Sequence, residues 1–471
     1  MELVAALTAE LGADAVRTEP DDLAAYGRDR CRGPWPTAAR AVVLPRTAEQ
    51  VQSAVRLCAA SGTAIVPSGG RTGLAGAATA SRGEVVLSLE RMHAILDVDP
   101  AARILRCEAG ATVAAVQDAA ADRGLLYPID FAAKGSAQIG GSIATNAGGV
   151  KVLRYGTTRS WVSGLRVVVA SGELLDIGGA LVKDNTGYDL RQLFIGAEGT
   201  LGIIVEATLR LTSPPPGSVV ALVAVPNDTA ILRLLDRLQR TAVLQAFECL
   251  EHGCLARVLE HRGRATQGPF AQASPQYVLV EVETATAGEA AEALAHEALV
   301  EQLGDAQESG DIDDAIVAAT AQQARELWSL REDISESLHR HRPHKNDVAL
   351  PVARVPEFLT RWRELVAQAV PEAEALAFGH VGDGNLHLNL LPKAAADPDA
   401  FTARCAAYDE DVYALVQAFA GSISAEHGIG LLKRAHLHRS RSAGELAMMR
   451  AIKGALDPQG IFNPGKILPD P

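Results

Sequence analysis

The sequence predicts a mixed α+β chain with more than one domain, and three observations carry that reading. At 471 residues the chain exceeds what one ordinary core fills. The run Ser213-Pro-Pro-Pro-Gly217 is its clearest punctuation and marks a domain boundary. The stretch Phe378-Gly-His-Val-Gly-Asp-Gly-Asn-Leu-His-Leu-Asn389 reads as strand, tight turn, strand. After the turn His387 and Asn389 share one face, and Leu388 and Leu390 the other.

Composition narrows the class. A hydrophobic fraction of 48% and a charged fraction of 21% are those of a soluble globular protein. A net charge of −13 argues against nucleic acid as a partner and leaves no polybasic membrane patch. The six cysteines are scattered; Cys249 and Cys254 form no zinc-finger or redox spacing. Free thiols in a reducing compartment follow. The opening Met1-Glu-Leu-Val lacks a basic leader region, and no apolar run reaches transmembrane length. The expectation is a soluble, cytoplasmic protein.

Taken in order, residues 1–38 begin helical through Val4, Leu7 and Leu11 and become loop around Cys31-Arg-Gly-Pro-Trp-Pro36. Ala41-Val-Val-Leu44 is a strand, and Thr47 caps a helix running through Ala60. Ala64-Ile-Val66 is the next strand. Directly after it, Pro67-Ser-Gly-Gly-Arg-Thr-Gly-Leu-Ala-Gly76 can turn backbone N–H groups inward as an anion nest, for which a diphosphate is the natural guest. It is not Gly-x-Gly-x-x-Gly, which counts against a Rossmann NAD site.

Strands follow over residues 84–89 and 104–109, with a helix from Val113 to about Asp122. A second glycine-rich piece spans Lys134 to Gly149, and its small residues permit close approach to a flat ligand. A third runs from Asn185 through Gly196-Ala-Glu-Gly-Thr-Leu-Gly202 into a strand from Val205 to Leu211. Beyond the proline run, strands are expected over residues 219–225 and 277–282, and helices over 229–240 and 288–303. A nearly unbroken helix is expected over 315–338, with Arg331 and Ser335 four apart on one face. His339-Arg-His-Arg-Pro-His-Lys345 reads as a basic loop suited to an anion. Helices are expected over 398–420 and in the tail after Ala443. In that tail Gly460-Ile-Phe-Asn-Pro-Gly465-Lys466 mimics a P-loop, but Pro464 lies inside it and Ile467 stands where Ser or Thr belongs.

The turn between His380 and His387 can bring two imidazoles to one ligand, and Ser424-Ala-Glu-His-Gly-Ile-Gly430 adds an adjacent carboxylate and imidazole. His380, His387 and Glu426 then form a three-ligand set that leaves a metal position open for water or substrate, with His427 as acid/base.

Seven motifs in order extend the reading: Pro67 to Leu74, Ile139 to Gly149, Arg154-Tyr-Gly156, Gly196 to Gly202, His380 to Asn389, Ala425 to Gly430, and Asn463-Pro-Gly-Lys466. Together they closely resemble the flavin-dependent oxidoreductases of the vanillyl-alcohol-oxidase type with an FAD-linked oxidase C-terminal domain. That group includes D-2-hydroxyglutarate, D-lactate and glycolate-oxidase-subunit dehydrogenases. The match runs from about residue 41 onward.

The resemblance implies an α+β fold. It comprises a two-subdomain FAD-binding domain and an antiparallel-sheet substrate domain with helices on one side. The segments expected are 1–40, an N-terminal helical piece; 41–214, the FAD-binding domain; 215–425, the substrate and metal domain; and 426–471, returning to the FAD domain. It also implies FAD, with Ser68, Gly69, Gly70, Arg71, Thr72, Gly73 and Leu74 at the pyrophosphate. Gly135, Ser136, Gly140, Gly141, Ala144, Thr145, Gly148 and Gly149 belong to the piece near the ribityl and flavin rings. Glu198, Gly202 and Ile204 fall nearer the adenine, and Asn463 comes back from the tail. Arg71 and Thr72 stand where covalent-flavin members often carry His, so the FAD is expected to be non-covalent.

In the metal-dependent branch, the residues matching His380, His387 and Glu426 bind Zn2+ or a similar divalent ion. Trp328-Ser-Leu-Arg331-Glu, followed by Lys345-Asn-Asp-Val-Ala-Leu-Pro351, resembles the D-2-hydroxyglutarate branch, where positions matching Arg331, Ser335, Lys345 and Asn389 bind substrate. The three histidines ahead of Lys345 (His339, His341 and His344) depart from that pattern.

The expected reaction is oxidation of a D-2-hydroxy acid, D-2-hydroxyglutarate first and also D-malate, with His427 as general base and hydride passing to the flavin. D-lactate or broad-range activity is the alternative within the class, and a metal-dependent hydrolase or binding module the rival outside it. An electron-transfer flavoprotein or quinone is the expected acceptor, and a homodimer the expected assembly.

Overall fold

The computed structural model describes residues 2–31, 33–264, 268–393 and 397–469. Arg32, in the loop expected around Cys31, lies outside the described residues. The chain divides into two compact units. The first comprises Met1–Gly149, Tyr155–Pro214 and Glu426–Pro471; the second comprises Val150–Arg154 and Pro215–Ala425.

Among the described residues, the first unit holds two sheets. One has the order Val16–Arg17, Ala41–Val43, Val85–Ser88, Ile65–Ser68. Its last three strands run parallel. The helix Ala48–Ala60 connects two of them, and Thr47 caps it by accepting the Gln50 N–H at 3.3 Å. The other sheet is antiparallel, in the order Ile95–Asp99, Ile104–Glu108, Ile203–Arg210, Val162–Val168, Leu174–Gly178. A shared apolar core, including Val55, Leu87, Leu105, Ile143, Val167 and Val205, fixes the helices and both sheets.

The tail is stitched into this unit. Ile65 bridges Phe462 in parallel. The Lys453 ammonium donates to the carbonyls of Thr200 and Phe462, both at 2.7 Å. The lysine of the P-loop lookalike, Lys466, is buried 3.6 Å from the Glu84 carboxylate.

The second unit is built on a seven-stranded antiparallel sheet. Its order is Asp314–Val317, Ser218–Val225, Gln276–Glu283, Leu244–Glu251, Ala373–Gly379, Asn385–Pro392, His344–Ala349. Pleat alternation sorts its residues. Along one face, Val220, Leu222, Leu250, Leu279, Leu376 and Phe378 pack under the helices His252–His261, Ala321–Glu332 and Ile334–His339. Further helices, including Asp228–Gln239 and Val355–Ala369, also pack on the strands. The short segment Val150–Arg154 is held to this unit by Lys151 on Glu281 at 2.6 Å and Arg154 on Glu283 at 2.9 Å.

Two expected elements are corrected. The helix over 315–338 is instead a strand, Asp314–Val317, and two helices that break at Asp333. Edge pairing with Ser218–Val225 claims the first residues. The basic loop ends two residues early: His344 and Lys345 begin a strand paired to Asn385–Pro392. Both errors come from partners distant in sequence, which local propensity does not contain.

Candidate active site

In the first unit the site is backbone. The loop after Ile65–Ser68 lies against the second glycine-rich piece, which forms a short helix, Ile139–Thr145. A Cβ on Gly70 would fall 1.9 Å from the Ser136 carbonyl oxygen, so only glycine permits this approach. At Gly141 and Gly135 a Cβ would meet nothing within 4 Å, so these two positions face open space. In the same unit, Ser68 Oγ, Gln138 Oε1 and Asn463 Oδ1 are buried without hydrogen-bond partners, polar atoms that a bound ligand group would complete. Arg71, with φ 55°, carries its guanidinium 4.3 Å over the Tyr26 ring and 3.8 Å from Glu90.

Glu198 serves the tail. Its carboxylate accepts the N–H groups of Ile429 and Gly430, both at 2.7 Å, and Asn463 Nδ2 donates to its carbonyl at 2.7 Å. Burial pushes its carboxyl up to about 7, against the pull of those two N–H groups. Glu426 accepts the Gly149 N–H at 2.7 Å, tying it to the end of the second glycine-rich piece.

In the second unit the site is side chains. The turn after Phe378 closes through the Gly384 N–H on the Val381 carbonyl. Gly384 has φ +84°, and a Cβ there would lie 2.1 Å from the Leu350 oxygen. The turn sets the His380 and His387 rings 5.4 Å apart, with ring nitrogens within 4.8 Å of one another. Each ring has a buried carboxylate at Nδ1: Glu248 at 2.7 Å from His380, Asp347 at 3.5 Å from His387. At His380 this hydrogen bond presents Nε2 as the ligand atom, the usual arrangement behind a metal-binding imidazole. Asp347 is itself held, accepting Asn385 Nδ2 at 2.8 Å and the Ala425 N–H at 3.1 Å.

Arg331 comes from the helix above. It is 7% exposed at the side chain, with Nη2 2.8 Å from Glu248 Oε2 and its guanidinium 4.8 Å over the Phe378 ring. Arg331 Nε is buried without a hydrogen-bond partner, so the fork keeps a donor for an incoming carboxylate. Burial would push the Glu248 carboxyl up; its contacts with His380 and Arg331 outweigh it and bring it down to about 2. Lys345 and Asn389 are cross-strand partners, as are Asp347 and His387, and all four share one face of the sheet. Lys345 is exposed, and buried Asn389 donates to the His387 carbonyl at 3.1 Å.

Thus the second unit assembles His380, His387, Arg331, Asn389 and Lys345. Ser335 is exposed and lies past the break at Asp333, in the next helix. Glu426 and His427, both half-buried, begin the last segment of the first unit, directly after Ala425. Sequence reasoning missed Glu248 and Asp347. One signal existed for Glu248: it is an acid inside the apolar run Leu244-Gln-Ala-Phe-Glu-Cys-Leu250, and a carboxylate in a fully buried strand needs a cationic or N–H partner.

Comparison with known proteins gives the family. Residues 39–178 match the FAD binding domain family, and residues 214–467 the FAD linked oxidases, C-terminal domain. The chain is 48% identical over 453 residues to a D-2-hydroxyglutarate dehydrogenase of Xanthomonas citri pv. viticola, covering 96% of this chain and 94% of that one. It is 46% identical to a D-2-hydroxyglutarate dehydrogenase of Stutzerimonas stutzeri, covering 96% of each. The mitochondrial D-2-hydroxyglutarate dehydrogenase of Bos taurus is 38% identical over 96% of this chain and 81% of its own. Among solved structures, p-cresol methylhydroxylase with substrate bound superposes with TM-score 0.78 at 18% identity, over 100% of this chain and 96% of that one. Alkyldihydroxyacetonephosphate synthase gives 0.71 at 17%, over 98% of this chain and 84% of that one. These two speak for the fold.

The first unit fits FAD on its own geometry: a glycine cradle closed to any side chain at Gly70, open beside Gly141, and edged by orphaned polar atoms. With both family matches in sequential order and near-complete coverage by relatives above 30% identity, the chain belongs to the FAD-linked oxidases, an α+β protein of the vanillyl-alcohol-oxidase fold.

Proposed function

We propose that this protein oxidises D-2-hydroxyglutarate to the 2-oxo acid, with D-malate as a second substrate, using non-covalent FAD and a divalent ion, Zn2+ by its ligand set. The carrying observation is Arg331: a buried guanidinium with an unused donor, in the unit that also sets two imidazoles together, each with a buried carboxylate near Nδ1. Relatives of that name, 46% and 48% identical, support the substrate.

Each residue has a task. Arg331 clamps one substrate carboxylate through a charge-assisted contact, and Lys345 holds the distal carboxylate as a point charge. Asn389, and Ser335 from the following helix, orient the substrate. His380, His387 and Glu426 would hold the ion, which supplies the Lewis acidity that lowers a hydroxyl pKa. His427 takes the hydroxyl proton as general base. Ser68 to Leu74, Gly135, Ser136, Gly140 to Gly149, Glu198, Gly202, Ile204 and Asn463 surround the cofactor. Bound FAD supplies the redox chemistry by accepting the α-hydrogen as hydride. Reoxidation falls to an electron-transfer flavoprotein or a quinone. No described helix is long and apolar enough to cross a membrane, and all six cysteines are free thiols. Both facts fit a cytoplasmic enzyme.

The test is an anaerobic visible spectrum before and after adding D-2-hydroxyglutarate, D-malate or D-lactate, repeated after chelation. Rapid bleaching by the two dicarboxylates, slowed by chelation and restored by Zn2+, is the expected outcome. Faster bleaching by lactate would remove Lys345 from its role. A colourless protein that FAD cannot reconstitute would overturn the reading.

A further inference from the structure

We infer that Glu248 is a positioning residue that sets the ion-holding imidazole of His380 and the carboxylate-holding guanidinium of Arg331 through one buried side chain. The inference rests on the functional reading above and deepens it. Glu248 is 1% exposed at the side chain. Its Oε1 lies 2.7 Å from His380 Nδ1, and its Oε2 lies 2.8 Å from Arg331 Nη2. The Arg331 contact is an ion pair rather than an aligned hydrogen bond, because Glu248 Oε2 and Arg331 Nε both lack a hydrogen-bond partner.

A carboxylate this buried is tolerated only where cationic or N–H partners compensate it. Here those partners are two groups with separate assignments. Oε1 keeps the ring proton on Nδ1, leaving the Nε2 lone pair for the ion. Oε2 holds one arm of the guanidinium and leaves Nε for the substrate. The second imidazole has its own carboxylate. Asp347 stands 3.5 Å from His387 Nδ1 and already accepts Asn385 and Ala425. Glu248 is therefore the residue through which ion binding and substrate binding are coupled.

Glu248→Gln tests this, because an amide cannot satisfy both neighbours. With its oxygen toward His380, its NH2 meets Arg331 donor to donor. With its NH2 toward His380, it moves the ring proton onto Nε2, where the ion should bind. The FAD-loaded protein is titrated with Zn2+ against a chromophoric chelator, and KM and kcat for D-2-hydroxyglutarate are measured separately. Glu248→Gln should weaken Zn2+ by about 10- to 100-fold and raise KM, with the flavin spectrum unchanged. Glu248→Asp, which keeps the charge, should recover part of both.

Wild-type Zn2+ affinity and KM in Glu248→Gln would overturn the inference, as would a lowered thermal midpoint with both constants unchanged. Should Glu248→Gln fail to retain flavin, Glu248→Asp decides by the same two constants. A wild-type protein that binds no divalent ion, or whose flavin no D-2-hydroxy acid bleaches, overturns the functional reading, and this inference falls with it. That result appears before any variant is made.

Discussion

The first unit makes its candidate site from backbone, while the second makes its own from side chains on one face of a sheet. At Gly70 the absence of a Cβ lets two loops meet, and at Gly141 it leaves space open. In the second unit the functional groups are long side chains held in place by buried carboxylates: His380 by Glu248, His387 by Asp347, Arg331 again by Glu248. A backbone site fails by steric intrusion and a side-chain site by lost partners, so the two should break differently.

The largest effect is expected at Gly70. Gly70→Ala drives a Cβ to within 1.9 Å of a carbonyl oxygen, and the loops must part. Purified protein should lose most of its flavin, read from the ratio of visible to ultraviolet absorbance. Gly141→Ala sharpens the point. It lies inside a helix with open space beyond it, so the flavin-free protein should keep its stability or gain up to about 1 kcal/mol, while FAD affinity falls. Unchanged FAD affinity would mean that the open space is not the cofactor's.

Arg331→Met should break the second site and spare the first. Removing one partner of a buried ion pair costs about 3–5 kcal/mol, here shared with His380, which stays on Glu248. The unfolding free energy from urea titration should drop by less than that full cost, flavin should remain bound, and reduction by D-2-hydroxyglutarate should be lost. Lys345→Ala should be milder. The residue is exposed on its strand, so stability should shift by no more than about 0.5 kcal/mol. Turnover of D-2-hydroxyglutarate should fall about tenfold and that of D-lactate much less; equal losses would strike Lys345 from the substrate contacts.

The same contrast explains what the sequence disclosed. A backbone site advertises itself, since runs such as Ser68-Gly-Gly-Arg-Thr-Gly73 have few other uses. The paired histidines were legible because one tight turn joins them, as was the Thr47 cap, which acts over three residues. Glu248 and Asp347 were not. Glu248 meets His380 across 132 positions of chain, and Asp347 meets His387 only because His344–Ala349 pairs with Asn385–Pro392. The strand Asp314–Val317 was hidden for the same reason, its pairing to Ser218–Val225 being the whole cause of its being a strand.

A change in pH tests the part of the first unit that is built from a side chain. Glu198 is buried, and its carboxylate accepts two tail N–H groups. Burial raises its folded pKa from an ordinary 4.5 to about 7. Below 4.5 both folded and unfolded chains carry the proton, and the contribution to stability is fully present. As pH rises toward 7 the unfolded chain ionises first, so that contribution is lost and then levels off above about 7. Stability should therefore fall between pH 5 and pH 8 by an amount on the order of a few kcal/mol at most. Glu198→Gln should remove that slope, because the amide does not titrate. The measurement is the wild-type minus variant difference in urea unfolding across the range, in which other titrating groups cancel. A difference that grows with pH would mean that the Ile429 and Gly430 N–H groups outweigh burial and that the tail is clasped by a charged carboxylate.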